Sequence, residues 1–151
     1  MDCSRPFHTV TQAGTIVISP NYPNIYDNNH ECGIRVQFES GERVVVEFRA
    51  FNVEHHSSCI WDFVEIRDGH NEKSSLIKQT LCGSAIHEPI LSTDSSLFIR
   101  FKTDDELTHS GFKMRIDKGD PTISTMCRRY IVYLHWLHRK YISSIIFWLR
   151  M

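Results

Sequence analysis

Three acidic residues, Glu54, Asp62 and Asp104, stand at well-separated positions in the chain, each beside the end of a predicted β-strand. Carboxylates from separate loops can hold a calcium ion together, because calcium takes about six to eight oxygen ligands in a flexible arrangement. Without a cation the same carboxylates would repel one another. Taken alone, acids at strand ends are usually ordinary solvated charges. The metal hypothesis therefore depends on the elements that position them.

Residues 14–116 are predicted to form short β-strands. Apolar and polar side chains alternate with a period of two, and turn residues such as Ser40-Gly41 and Asp68-Gly69 separate the segments. The predicted strands cover residues 14–19, 34–39, 43–51, 63–67 and 97–102 and a last segment that begins at Gly111. Many short strands with regular turns predict an all-β fold, either an antiparallel sandwich or a barrel.

Length and composition favour one domain with a tail. The chain has 151 residues, 41% of them hydrophobic, and a formal net charge of −1, which gives no indication of nucleic-acid binding. Residues 126–151 carry five basic residues and no acid. The sequence contains no HExxH, GxSxG or glycine-rich phosphate-loop motif, so we expect no catalytic activity.

The tail after residue 118 has a different character. Residues 130–149 are long enough to span a bilayer, but His135, His138, Arg139 and Lys140 lie near the middle. Each cation there costs about 2.5–3.5 kcal/mol on insertion scales, which argues against a transmembrane helix. An interfacial amphipathic helix remains an alternative, as does a segment that does not fold with the domain.

The five cysteines predict disulfides rather than a zinc site. They are Cys3, Cys32, Cys59, Cys82 and Cys127, and none falls in a CxxC pair. Four cysteines allow three pairings, and spacing alone does not choose among them. Disulfides indicate an oxidising compartment. Since the first residues have no apolar run typical of a signal peptide, we expect a fragment of a longer extracellular protein or an incomplete gene model.

The order of several landmarks resembles that of a CUB domain. They are Cys3, the segment Ser19-Pro20-Asn21-Tyr22-Pro23-Asn24-Ile25-Tyr26, Cys32, the segment Cys59-Ile60-Trp61-Asp62 that continues to Asp68-Gly69, then Leu81-Cys82-Gly83, Phe101-Lys102-Thr103-Asp104 and Gly111-Phe112. The nearest likeness is to CUB modules of tolloid-like proteinases and neuropilin-and-tolloid-like receptors. The resemblance implies an antiparallel jelly-roll β-sandwich over residues 3–117, with disulfides Cys3–Cys32 and Cys59–Cys82. Residues 118–151 would then be a linker and tail.

The resemblance also implies a calcium site. In the calcium-binding members of the family, a tyrosine and three acids occupy positions that here hold Tyr26, Glu54, Asp62 and Asp104. The three acids would be ligands, and the Tyr26 hydroxyl would steady one carboxylate from behind. Family members often supply further oxygens a few residues later, where this chain has Glu106 and Leu107. We expect Glu106 to be a fourth ligand, with Asp105 as the alternative, because Leu107 has no side-chain oxygen.

The expected function is calcium-dependent binding of an extracellular protein partner by a module that is not an enzyme. The mode that the resemblance implies is a partner Lys or Arg approaching the acidic, calcium-bound edge. One alternative is a non-catalytic, substrate-positioning module of a secreted tolloid-like zinc metalloproteinase. Another is a fragment of a membrane-tethered receptor, with the tail in contact with the membrane. Cys127 would be unpaired or bonded outside this chain.

Overall fold

The computed structural model describes residues 7–119, which form two β-sheets. Their strands are β1 (Phe7–Val10), β2 (Thr15–Ile18), β3 (Glu31–Gln37), β4 (Arg43–Asn52), β5 (Phe63–Asp68), β6 (Ser75–Leu76), β7 (Ile90–Leu91), β8 (Ser96–Lys102) and β9 (Gly111–Gly119). In this part of the chain we find no helix with the length and apolar character needed to cross a bilayer.

The two sheets pack face to face, which confirms the predicted all-β sandwich. The first sheet has the order β1-β3-β8-β5-β6 and the second the order β2-β9-β4-β7. One pair departs from the antiparallel expectation: β1 runs parallel to β3, with Phe7 opposite Gly33 and Val10 opposite Val36. Because neither β1 nor β2 has a second partner strand in these sheets, each lies at a sheet edge.

Alternating apolar side chains of both sheets fill the space between them. In β8 the side chains of Leu97, Ile99 and Phe101 are fully buried, and in β9 those of Phe112 and Met114 are as well. The rings of Phe101 and Phe112 meet edge to face with centroids 5.2 Å apart, which is a favoured aromatic geometry. Side chains of β8 in the first sheet and of β9 in the second therefore pack against each other in the core.

A β-bulge in β4 changes which residues face the core. Phe48 pairs with Met114 and Ala50 with Lys113, so the register shifts by one residue between Phe48 and Ala50. A strict period of two would point Phe48 and Phe51 to opposite faces. The extra residue at the bulge turns both rings inward, where their centroids lie 5.0 Å apart.

The last strand is longer than the sequence predicts. Lys118 and Gly119, which we expected in the linker, belong to β9, and Gly119 pairs with Arg43. The structure contains the Cys59–Cys82 disulfide. The expected Cys3–Cys32 pairing, Cys127 and the tail after residue 119 lie outside the described residues.

Candidate metal centre

One end of the sandwich carries the two connections that hold the predicted ligands, the β4–β5 connection with Glu54 and Asp62 and the β8–β9 connection with Asp104. Strand register explains why they meet: Phe63, the first residue of β5, pairs with Lys102, the last residue of β8. Likewise Asn52, at the end of β4, pairs with Gly111, at the start of β9. The residues that follow β4, precede β5 and follow β8 must therefore lie at the same end of the sandwich. These connections carry Glu54, Asp62 and Asp104.

The three carboxylates form a compact group. One side-chain oxygen from each of Glu54, Asp62 and Asp104 lies within 4.8 Å of the others. Glu54 is only 4% exposed and Asp62 is completely buried, whereas Asp104 is half-buried. Within residues 7–119, none of the three forms an ion pair with a Lys, Arg or His.

Asp62 is held by hydrogen bonds to both of its oxygens. The Tyr26 hydroxyl donates to Oδ2 at 2.6 Å, and the backbone nitrogen of Asp104 donates to Oδ1 at 2.8 Å. The same hydroxyl accepts a hydrogen bond from the backbone nitrogen of Glu54 at 3.1 Å. The hydroxyl therefore ties both ends of the β4–β5 connection to Tyr26. The backbone nitrogen of Tyr26 donates to the carbonyl of His109 on the β8–β9 connection at 3.0 Å.

The electrostatics of the group favour an added positive charge. Burial is the main cause that raises the pKa of the Glu54 carboxyl, and the negative charges of Asp62, Asp104 and Glu106 raise it further. Burial also raises the pKa of Asp62, although the hydrogen bonds from Tyr26 and from the Asp104 backbone oppose this effect. Three carboxylates this close together, two of them buried, are costly to keep ionised without a cation.

One oxygen of Glu54 has no polar contact in the described part of the protein. Its Oε2 atom is buried and has no hydrogen-bond partner there. Buried carboxylate oxygens are normally paired, because removing them from water is costly. This buried, unpaired oxygen is therefore available as a ligand for a cation.

Glu106 lies beside the three acids but not in their compact group. Its backbone nitrogen donates to Asp104 Oδ1 at 3.0 Å, while its side chain is exposed. Sequence reasoning missed Asn28, whose side-chain nitrogen donates to the carbonyls of Asp105 and Glu106 at 2.9 and 2.7 Å. The only signal in the sequence was a polar run next to Tyr26.

Thr103 and Gly111 also shape the site. The Thr103 hydroxyl donates to the carbonyl of Asp27 at 3.0 Å, and accepts from the backbone nitrogen of His30 at 2.9 Å. Gly111 has a positive φ of 73°, and a Cβ atom there would lie 1.9 Å from Ser19 Oγ. The connections are thus fixed to one another by side chains that do not themselves belong to the acid group.

Fold and site together define a disulfide-containing β-sandwich with an acidic cluster at one end, and comparison with known proteins identifies the family. The family model of the CUB domain matches residues 3–116. The chain belongs to the CUB domain family.

Two curated relatives are similar over the same region. Mouse Tolloid-like protein 1 is 35% identical over 112 residues, which cover 74% of this chain and 11% of that protein. A Bone morphogenetic protein 1 homolog of Strongylocentrotus purpuratus is 36% identical over 105 residues, which cover 70% of this chain and 16% of that protein. The chain thus spans only a small part of the length of these relatives.

A solved structure supports the fold and bears on the metal. The MASP-1 CUB2 domain bound to Ca2+ is 28% identical, with a TM-score of 0.64. The alignment covers 72% of this chain and 96% of that domain. A structural neighbour of this protein therefore binds calcium, and this protein has an acidic cluster with donors suited to a metal.

Proposed function

We propose that residues 3–117 form a non-catalytic, extracellular protein-binding module that requires calcium held by Glu54, Asp62 and Asp104. The observation that carries the proposal is the buried Glu54 carboxylate, whose Oε2 has no hydrogen-bond partner among the described residues. It stands beside two further carboxylates, and none of the three has a Lys or Arg ion-pair partner within residues 7–119. A divalent cation would offset both the desolvation and the repulsion.

The chemistry of the donors favours calcium over other metals. All three donors are carboxylate oxygens, whereas zinc sites are usually built from Cys and His. Oxygens within 4.8 Å of one another suit an ion that takes ligands at about 2.3–2.6 Å. Glu106 is proposed as a further ligand, since its backbone nitrogen donates to Asp104 Oδ1 and its negative charge helps to raise the pKa of Glu54. Tyr26 would position Asp62 without touching the ion.

The charge left after calcium binding suggests the partner. Three carboxylates exceed the charge of one divalent cation by one, and Asp105 and Glu106 add exposed negative charge nearby. A protein ligand that presents a Lys or Arg side chain would complement this edge.

Calorimetric titration of the full chain with calcium tests the site. We expect one site in the unaltered protein and a loss of affinity of at least about ten-fold in Asp62→Asn and Asp104→Asn, because each removes a ligand charge. The matched control is Asp94→Asn, which changes an exposed acid just before β8, at the opposite end of that strand from Asp104. Near-UV circular dichroism checks that each variant is folded. Unchanged calcium affinity in both ligand variants would refute the assignment.

The similarity to tolloid-like proteins supports a narrower second candidate. In that role the module would position substrate for the catalytic domain of a secreted zinc metalloproteinase, and would itself remain non-catalytic. The parent transcript distinguishes the two: an HExxH zinc-binding motif encoded in frame with this module would favour the second candidate.

A further inference from the structure

Exposed apolar side chains are concentrated around the acidic group. Residues 7–119 contain eight large apolar side chains that are exposed. Three of them lie on the two connections that carry the acids, and a fourth lies next to Tyr26 on the β2–β3 connection. We call these four the apolar rim: Ile25, Ile60, Trp61 and Leu107. Clustering of this kind marks interaction sites, whereas scattered apolar side chains are ordinary on protein surfaces.

Each member of the apolar rim is close in sequence to the acidic group. Ile25 precedes Tyr26, Trp61 precedes Asp62, and Leu107 follows Glu106. Asp62 is completely buried, whereas the side chain of its neighbour Trp61 is 43% exposed. An apolar surface is therefore accessible directly beside the site. A ligand that reached the acids would therefore also meet these side chains.

The connection that carries Trp61 is held in place before any ligand binds. The Trp61 ring packs against the His56 ring with centroids 4.3 Å apart. The backbone nitrogen of Cys59 donates to the His56 carbonyl at 3.1 Å, and the Cys59–Cys82 disulfide fixes the same loop. An aromatic side chain that is already ordered loses little entropy on binding, which is typical of interface hot spots.

The other side of the apolar rim is also ordered. The backbone nitrogen of Tyr26 donates to the His109 carbonyl at 3.0 Å, and that of Asn29 donates to the Asp104 carbonyl at 2.6 Å. These bonds join the segment that bears Ile25 to the segment that bears Leu107. Both side chains are 62% exposed on this joined pair.

We propose that the apolar rim binds a large apolar side chain adjacent to the partner's basic residue. The inference rests on the proposed function, because the acids must receive the basic group. It specifies the occupant: a protein segment in which a Lys or Arg is followed by a large apolar or aromatic residue. The surplus negative charge of the acids complements such a segment and repels an anionic lipid surface.

Two immobilised synthetic peptides test the inference with the full chain at saturating calcium. One contains a lysine followed by phenylalanine, and the other has serine in place of the phenylalanine. We expect the first to bind at least about ten-fold more tightly, which is the effect of one good apolar anchor, and chelation of calcium to abolish binding of both. Ile60→Ser and Trp61→Ser should remove the preference while calorimetry shows unchanged calcium affinity.

The matched control is Leu76→Ser. Leu76 is 42% exposed, close to the exposure of Trp61, but lies on β6 opposite Arg67, away from the acids. It should keep the preference of the unaltered chain.

Each contrary result has a distinct meaning. Equal, calcium-dependent affinity for the two peptides would overturn this inference and leave the proposed function standing. Absence of calcium-dependent binding to either peptide would overturn both. If the chain binds phosphatidylserine vesicles through Trp61 and shows no preference between the peptides, the inference is overturned and the apolar rim binds a membrane surface instead.

Discussion

At the residue scale, the Tyr26 hydroxyl makes two hydrogen bonds that hold the acidic group in place. Its hydroxyl donates to Asp62 and accepts from the backbone nitrogen of Glu54. In Tyr26→Phe the Glu54 nitrogen loses its acceptor and Asp62 loses one of its two donors. We expect calcium affinity to fall by about ten-fold or more, as for other residues that orient metal ligands.

The calcium-free chain should also lose stability in Tyr26→Phe. Leaving a buried donor and acceptor unpaired lowers the free energy of unfolding by about 1–3 kcal/mol. Urea unfolding measures this loss. Tyr22→Phe is the control, since the Tyr22 hydroxyl makes no hydrogen bond within residues 7–119. Wild-type calcium affinity in Tyr26→Phe would contradict the role given to this hydroxyl.

A second prediction at this scale concerns His87. Its ring packs against Phe48 and Phe51, and its Nε2 is buried without a hydrogen-bond partner in the described part of the chain. Burial lowers the pKa of His87, and the positive charge of Lys78 lowers it further. Because the unfolded chain then takes up a proton more readily than the folded one, stability should fall as the pH drops below the ordinary histidine value.

Replacement by an apolar ring removes this titration. We expect His87→Phe to lose less stability than the unaltered chain between about pH 7.5 and about pH 5.5, since Phe cannot be protonated. Urea unfolding at both pH values, in excess calcium, gives the measurement. The control is His70→Phe at an exposed histidine, which should keep the original pH dependence. An identical acid loss in His87→Phe would show that other groups cause it.

At the scale of elements, the joint between the β2–β3 connection and β9 depends on Gly111. Its φ is +73°, and an added Cβ would lie 1.9 Å from Ser19 Oγ and 2.7 Å from Ser19 Cβ. Ser19 Oγ accepts the backbone N–H of Phe112 at 3.0 Å, so it is not free to move away. Gly111→Ala should therefore destabilise the protein through both strain and overlap, by about 3 kcal/mol.

Gly41 offers a matched control. It also has a positive φ, of +89°, but nothing lies within 4 Å of an added Cβ. Gly41→Ala should cost only the backbone strain, about 1–2 kcal/mol. Equal losses in the two variants, measured by urea unfolding, would show that the contact with Ser19 can relax.

The long strands were predictable because their own side chains carry the signal. Apolar residues alternate through β3, β8 and β9, and the predicted segments overlap these strands. β6 and β7 were not predicted, since two residues are too few to show a period. β1 was not predicted either, because its four residues lack the continuous β-branched run that marks β2. The bulge in β4 could not be predicted from the sequence either, because the extra residue is defined only by the pairing of β4 with β9.

At the scale of the whole molecule, the candidate site could be predicted only in part. Family resemblance selected Glu54, Asp62 and Asp104, and the fold brings these three together. The contacts of Asn28 and the backbone N–H of Asp104 were missed, because they join residues whose proximity exists only in the folded chain. Calcium binding itself, the role of Glu106 and the domain limits at 3 and 117 stay predictions.

The hydrogen bonds around Asp62 have a consequence for folding kinetics. They join positions 36 and 42 residues apart in sequence, so the acidic group cannot assemble until the distant strands have paired. Calcium should therefore act after the rate-limiting step: it should slow unfolding and leave the folding rate nearly unchanged. Stopped-flow refolding and unfolding in urea, with calcium and with chelator, measure this. Faster folding with an unaltered unfolding rate would mean that the acids already meet in the transition state.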